Sequence, residues 1–224
     1  MKLDEAMRTV PVVAILRGVT PDEIEAHAEA LHAGGVRIVE IPLNSPEPFE
    51  SLRRLTERWG DRLVCGSGTV LSPDMVDHVA EARGRIVVAP NTNPAVIKRS
   101  RDLGLDPMPG VQTATEAFSA YDAGARYLKL FPASSVGPGH LKALMAVLPR
   151  DATVLAVGGA GPSTMADWWA AGARGFGLGS ERGALLKPAE DAIDRFLHAW
   201  RRRSADGEAG TRSACVSGRV ELQA

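Results

Sequence analysis

Two ionisable side chains interrupt short apolar runs, and their types indicate imine chemistry. Lys129 lies in the run Tyr127 to Leu130, and Glu40 lies inside the run Ile38 to Pro42, which we place at the end of a strand. Burial favours the neutral form of an amine, and a neutral amine is the form that attacks a ketone. A carboxylate beside it could hold the ammonium in a salt bridge or transfer protons, and these roles are compatible. The alternative for the lysine is a structural ion pair or a snorkelling end residue.

Glycines after the last two apolar runs are candidates for binding phosphate. Gly158 and Gly159 follow one run, and Gly179 and Ser180 follow the next. Backbone amides at such positions often bind phosphate in barrels, together with a helix N-terminus. Turn geometry alone also explains paired glycines, so the prediction depends on finding both pairs at neighbouring strand ends.

Arg17 follows the first apolar run, and its guanidinium group could bind a substrate carboxylate through two hydrogen bonds. The alternative is a structural salt bridge at the rim of the barrel. The segment from Cys65 to Thr69 brings amides and a hydroxyl to the same edge. It lacks the lysine of a Walker loop and the fingerprint of a dinucleotide site, which argues against a nucleotide-binding site.

No histidine falls at a strand end beside clustered carboxylates, so we expect no metal and no other cofactor. Cys65 is expected to be a small core residue, because no histidine is placed to act as its base.

The elements that must position these residues follow from an alternation of Val-, Ile- and Leu-rich runs with longer amphipathic segments, repeating about every 25 residues. The eight predicted strands are Val12 to Leu16, Ile38 to Leu43, Leu63 to Cys65, Ile86 to Ala89, Leu105 to Met108, Tyr127 to Leu130, Thr153 to Val157 and Gly175 to Leu178. Predicted helix starts are Thr20-Pro21, Ser72-Pro73, Asn93-Pro94, Thr113 with Glu116, and Gly161-Pro162-Ser163, and predicted helix ends are Gly34, Gly124 and Gly172. Eight strand-helix units predict an α/β fold, a single-domain (β/α)8 TIM barrel over residues 1–203, with a disordered tail over residues 204–224.

Composition excludes several classes of function. The chain of 224 residues has 26 basic and 27 acidic side chains, so no overall field favours nucleic acid or an anionic membrane. No apolar run approaches the roughly 20 residues of a membrane span, and the N-terminus has no signal-peptide core. Two distant cysteines fit neither a disulfide framework nor a zinc site. We therefore expect a cytoplasmic protein with a small-molecule substrate.

Four segments in order resemble the class I aldolases that act on 2-keto-3-deoxy-6-phosphogluconate and 2-keto-3-deoxy-6-phosphogalactonate, over about residues 10–200. They are Val39 to Pro46, Gly66 to Leu71, Leu128 to Ala133 and Val157 to Gly159. The resemblance implies that Lys129 forms the imine, that Glu40 transfers protons, and that the two glycine pairs bind phosphate. It further implies pyruvate as a product and a homotrimeric assembly. The remaining substrate contacts that it implies are Arg17, Thr69, Asn44, Pro90, Phe131 and Val157.

Three positions favour the galactonate branch of that family. Asn44 and Ser45 stand where the gluconate enzymes usually carry arginine and threonine, and those enzymes lack the arginine found here as Arg17. Val157 stands where they usually carry a threonine, whose hydroxyl could contact the C4 oxygen at which the two substrates differ. The alternatives are the gluconate aldolase, a phosphosugar isomerase or epimerase on the same barrel, and a barrel that binds a phosphosugar without catalysis.

Overall fold

The computed structural model describes residues 1–179 and three further positions, Arg195, His198 and Arg202. The strands are β1 Val12–Ile15, β2 Ile38–Pro42, β3 Val64–Gly68, β4 Ile86–Val88, β5 Asp106–Met108, β6 Gly110–Val111, β7 Tyr127–Leu130, β8 Thr153–Val157 and β9 Gly175–Gly179. The α-helices are α1 Leu3–Thr9, α2 Ile24–Gly34, α3 Pro48–Trp59, α4 Pro73–Glu81, α5 Pro94–Asp102, α6 Ala114–Asp122, α7 Gly137–Met145 and α8 Met165–Ala171, and a 3₁₀ turn spans Ala133–Ser135. The predicted α/β barrel is confirmed.

All strands run parallel in the order β5-β4-β3-β2-β1-β9-β8-β7-β6. The two end strands are consecutive in the chain, with Pro109 alone between them, so the sheet closes on itself. Eight strands were predicted, and the ninth arises because the fifth continues and divides at Pro109. Proline has no N–H for the ladder, and here β5 pairs with β4 before the residue and β6 pairs with β7 after it.

Alternating side chains along each strand form two apolar cores. One core lies between the barrel wall and the helices and includes Val39, Leu128 and Ala156. The other fills the barrel interior and includes Val13 and Leu155, and α1 closes its N-terminal end with Leu3, Ala6 and Met7. Strand residues of period two therefore divide into inward and outward sets, and the inward set builds the site.

Three arginines that precede strands close the helices before them. Arg37, Arg126 and Arg174 each donate from Nη1 to the carbonyl five residues earlier and to that of the preceding residue. A cation at a helix C-terminus satisfies carbonyls that have no partner within the helix. These hydrogen bonds explain why an arginine recurs shortly after the glycine at the junctions between helices and strands.

Most predicted helix boundaries are confirmed. Side chains of Ser72, Asn93 and Thr113 cap their helices, and Thr113 forms a capping box with Glu116. The predicted end at Gly34 was wrong by one residue, since Gly35 adopts the left-handed conformation at φ 103°. Helices α2 and α8 begin later than predicted because turns precede them, closed by hydrogen bonds from Glu23 to Thr20 and from Thr164 to Gly161.

The predicted third strand was too short. Residues Gly66 to Gly68, expected in a loop, belong to β3 and pair with β2 throughout. Ser180 and the tail of residues 204–224 lie outside the described residues, so the division of the chain at residue 203 stays a prediction. No helix in the described part of the chain has the length and apolar character of a membrane span.

Candidate active site

Glu40 and Lys129 face each other inside the barrel. Glu40 is the third of the five residues of β2, deeper than the strand end where the sequence placed it, and Lys129 is the third residue of β7. Both line a narrow interior cavity whose other walls are mainly apolar and include Ile15, Val88 and Val157. The two residues are 2% and 9% exposed, so the site holds a carboxyl group and an amine almost out of water.

Burial sets the protonation of this pair. It raises the pKa of Glu40 to about 7, against the opposing effects of the nearby charges of Lys129 and Arg17. Burial also lowers the pKa of Lys129, Glu40 opposes that shift, and Arg17 adds to it. Because burial disfavours both charged forms, the Lys129 amine loses its proton more readily than an exposed lysine, and Glu40 accepts a proton more readily than an exposed glutamate. These are the properties required of a nucleophile and a general base.

Gly68 makes room for the Glu40 carboxylate. A Cβ built on this glycine would overlap both carboxylate oxygens, so any larger residue would displace Glu40. Oxygen Oε2 of Glu40 is buried and has no hydrogen-bond partner among the described residues. Sequence reasoning assigned this glycine only to a polar loop. Recognising its role would have required the β2–β3 register, which pairs Glu40 with Gly66.

Phe131 and Val157 shape the apolar side of the site. The Lys129 ammonium lies 4.6 Å from the centre of the Phe131 ring. Val157 lies on the inward face of β8, and its methyl groups occupy the space that a Cβ on Gly177 would fill. Of the two predicted contacts, Val157 therefore lines the cavity and Phe131 lies beside the Lys129 ammonium. Pro90, also predicted, follows β4 and is half-buried.

The predicted polar groups follow the strand ends. Arg17 Nη1 donates to Asn44 Oδ1 at 2.9 Å, which joins the segments after β1 and β2. Thr69 follows β3 and holds φ at 58°. A left-handed backbone is strained for a β-branched residue and is typical of functional sites.

The glycines predicted to bind phosphate lie at the same end of the barrel. Gly158 and Gly159 follow β8 and adopt φ of 81° and 84°. Gly159 packs against Ser134 in the 3₁₀ turn, and a Cβ on this glycine would overlap the Ser134 side chain. Gly179 is the exposed last residue of β9. The fourth member of the predicted group, Ser180, is outside the described residues.

Metal-ligating residues do not gather in the described part of the chain, where no three of histidine, cysteine, aspartate and glutamate come together. Cys65 lies in the core outside the barrel wall, as expected, and burial raises the pKa of its thiol to about 12. A thiol in that state is a poor nucleophile.

Fold and site together define a (β/α)8 barrel that encloses a buried lysine and glutamate. Comparison with known proteins identifies the family within this class. The model of the KDPG and KHG aldolase family matches residues 3–192, and the chain belongs to that family.

The relatives to which the chain is similar include enzymes named for either of two substrates. The 2-dehydro-3-deoxy-6-phosphogalactonate aldolase of Escherichia coli K12 is 48% identical over 195 residues, which are 86% of this chain and 95% of that protein. A 2-dehydro-3-deoxy-phosphogluconate aldolase of Pseudomonas aeruginosa is 35% identical over 73% of this chain and 72% of that protein. A solved structure of native KDPGal has a TM-score of 0.83 and 43% identity, over 88% of this chain and 97% of that chain.

Proposed function

We propose that the chain is a class I aldolase that cleaves 2-dehydro-3-deoxy-6-phosphogalactonate to pyruvate and glyceraldehyde 3-phosphate. The observation that carries the proposal is the buried Lys129 facing Glu40 inside the barrel. Membership of the aldolase family and the greater identity to the galactonate enzyme support it.

The proposed mechanism uses only these two ionisable groups. The neutral Lys129 amine attacks the C2 ketone, and loss of water leaves an iminium. Glu40 removes the proton of the C4 hydroxyl, the C3–C4 bond breaks, and its electron pair moves into the iminium to form an enamine. Glyceraldehyde 3-phosphate leaves, the enamine takes up a proton at C3, and water hydrolyses the new iminium to pyruvate and free Lys129.

Binding groups at both ends of the substrate would align it for this reaction. Arg17 and Thr69 are proposed to hold the carboxylate, and Gly158 and Gly159 the phosphate, together with Gly179 and Ser180. Neither amide of the Gly158-Gly159 pair donates to a described acceptor, which leaves both available to a ligand. Contacts remote from the reacting bond supply binding energy for alignment.

Borohydride with pyruvate is expected to label one lysine irreversibly, because only an imine at a reactive amine is reducible. Peptide mass spectrometry should find Lys129 increased by the mass of pyruvic acid less one oxygen atom. The exposed Lys98 and Lys142 serve as internal controls and should stay unmodified. Labelling of another lysine would refute the proposed nucleophile, and no labelling at all would leave an isomerase or epimerase as the better candidate.

Val157 is expected to set the preference between the C4 epimers. An apolar wall rejects a misplaced hydroxyl weakly, so the galactonate substrate should have the higher kcat/KM with appreciable activity on the gluconate epimer. Val157→Thr preserves the shape and adds a hydroxyl. It should raise gluconate activity relative to galactonate by up to about tenfold, roughly the value of one hydrogen bond.

The ratio of the two kcat/KM values measures this effect, and Val157→Ala is the matched control for lost volume. A similar change of ratio in both variants would assign it to space rather than to the hydroxyl. If the unmodified enzyme prefers the gluconate substrate, the branch assignment is wrong while the aldolase chemistry stands.

A homotrimeric assembly and a cytoplasmic location complete the proposal. The trimer is what membership of the family implies, and the location follows from the composition and the scarcity of cysteine.

A further inference from the structure

Arg17 lies close to the catalytic carboxylate without pairing to it. In the β1–β2 register Ile15 is opposite Glu40, and the Leu16 amide donates to the Glu40 carbonyl at 2.9 Å. Arg17 lies in the turn that follows β1, two residues after Ile15. Its charge affects the pKa of Glu40, yet Oε2 of Glu40 has no hydrogen-bond partner within the part of the chain that the structure describes.

Two contacts from the loop after β2 hold the arginine segment instead. Asn44 Oδ1 accepts a hydrogen bond from Arg17 Nη1 at 2.9 Å. Next to it, the buried Ser45 accepts from the Gly18 amide through Oγ at 3.0 Å. The first contact fixes the guanidinium, and the second fixes the backbone that carries it.

We propose that Asn44 is a positioning residue that keeps the Arg17 guanidinium at the mouth of the site and out of an ion pair with Glu40. This inference rests on the proposed aldolase function. A bidentate guanidinium-carboxylate pair would occupy the oxygen that must accept a proton and would lower its basicity. A neutral, exposed asparagine binds the guanidinium more weakly, so a substrate carboxylate can still compete for it.

The surroundings of Glu40 contain few other charges. Among the described residues, Lys129 on β7 and Arg17 after β1 are the charged groups that affect it. The neighbouring strand β3 contributes Gly66 and Gly68, and β4 contributes Val88. A released guanidinium would therefore meet an unpaired carboxylate with no competing acid nearby.

A double-mutant cycle tests the inference. Asn44→Ala should lower kcat/KM by roughly 10- to 100-fold, the cost of a misplaced binding group, and should shift the acid limb of the pH profile to lower pH. That direction follows because pairing with Arg17 stabilises the ionised carboxylate. In an Arg17→Met background, Asn44→Ala should change kcat/KM by less than about twofold, since both substitutions remove the same contact.

Asn44→Asp is the conservative comparison, because it keeps an acceptor for the guanidinium and should not shift the acid limb to lower pH. It also serves if the alanine variant does not fold. Two results would overturn the positioning role of Asn44 while leaving the proposed aldolase function intact. One is a double variant whose loss of kcat/KM equals the product of the two single losses, and the other is an acid limb that moves to lower pH in the aspartate variant. An unmodified chain that neither traps pyruvate nor cleaves the substrate would overturn the proposed function, and this inference with it.

Discussion

Lys129→Met is expected to lower retro-aldol turnover by about 10⁴-fold or more while leaving the barrel folded. Removal of a covalent nucleophile typically has an effect of this size, because the iminium that accepts the electron pair no longer forms. Methionine has nearly the stem length of lysine and adapts to an apolar cavity. The substitution also removes an amine that is costly to bury, so the free energy of unfolding should not decrease.

The measurements are kcat with the phosphorylated substrate and thermal unfolding of the same preparation. Lys98→Met is the matched control, since Lys98 is exposed on α5 and away from the cavity. Retained turnover in the Lys129 variant, with normal turnover in the control, would exclude the Schiff-base mechanism.

Glu40→Gln should slow cleavage by roughly 10²- to 10⁴-fold, the usual contribution of a general base. Glutamine is nearly isosteric and fits the space above Gly68, so the barrel should stay intact. Glu40 raises the pKa of Lys129, and its loss should therefore lower that pKa further. A larger fraction of the amine would then be neutral, and pyruvate should still be trapped by borohydride.

Proton transfer and imine formation are thus separated in one variant. In the unmodified enzyme the carboxyl pKa of about 7 predicts that kcat/KM falls as the pH decreases below neutrality, because Glu40 becomes protonated. The glutamine variant should lose the part of this acid limb that belongs to Glu40. Glu29→Gln, on the exposed face of α2, is the control. Turnover at the unmodified rate in Glu40→Gln would reduce the glutamate to a structural role.

Local patterns in the sequence predicted most of the architecture because they depend on neighbouring residues. The apolar run around Lys129 predicted that this lysine is buried, and capping chemistry predicted the helix starts at Ser72, Asn93 and Thr113. The parallel arrangement then follows from helices between strands. It also brings the strand ends together, which is why residues from separate strands were predicted to share a site.

Contacts between distant segments required the tertiary structure. The amino-acid sequence by itself determined that a lysine and a glutamate would be buried within apolar strands of a barrel. Only the register of the closed sheet decided that Gly68 leaves space for Glu40 and that Asn44 holds Arg17 across 27 residues of chain. Burial and side-chain periodicity are local properties, whereas the distance between two strands depends on how every intervening unit packs.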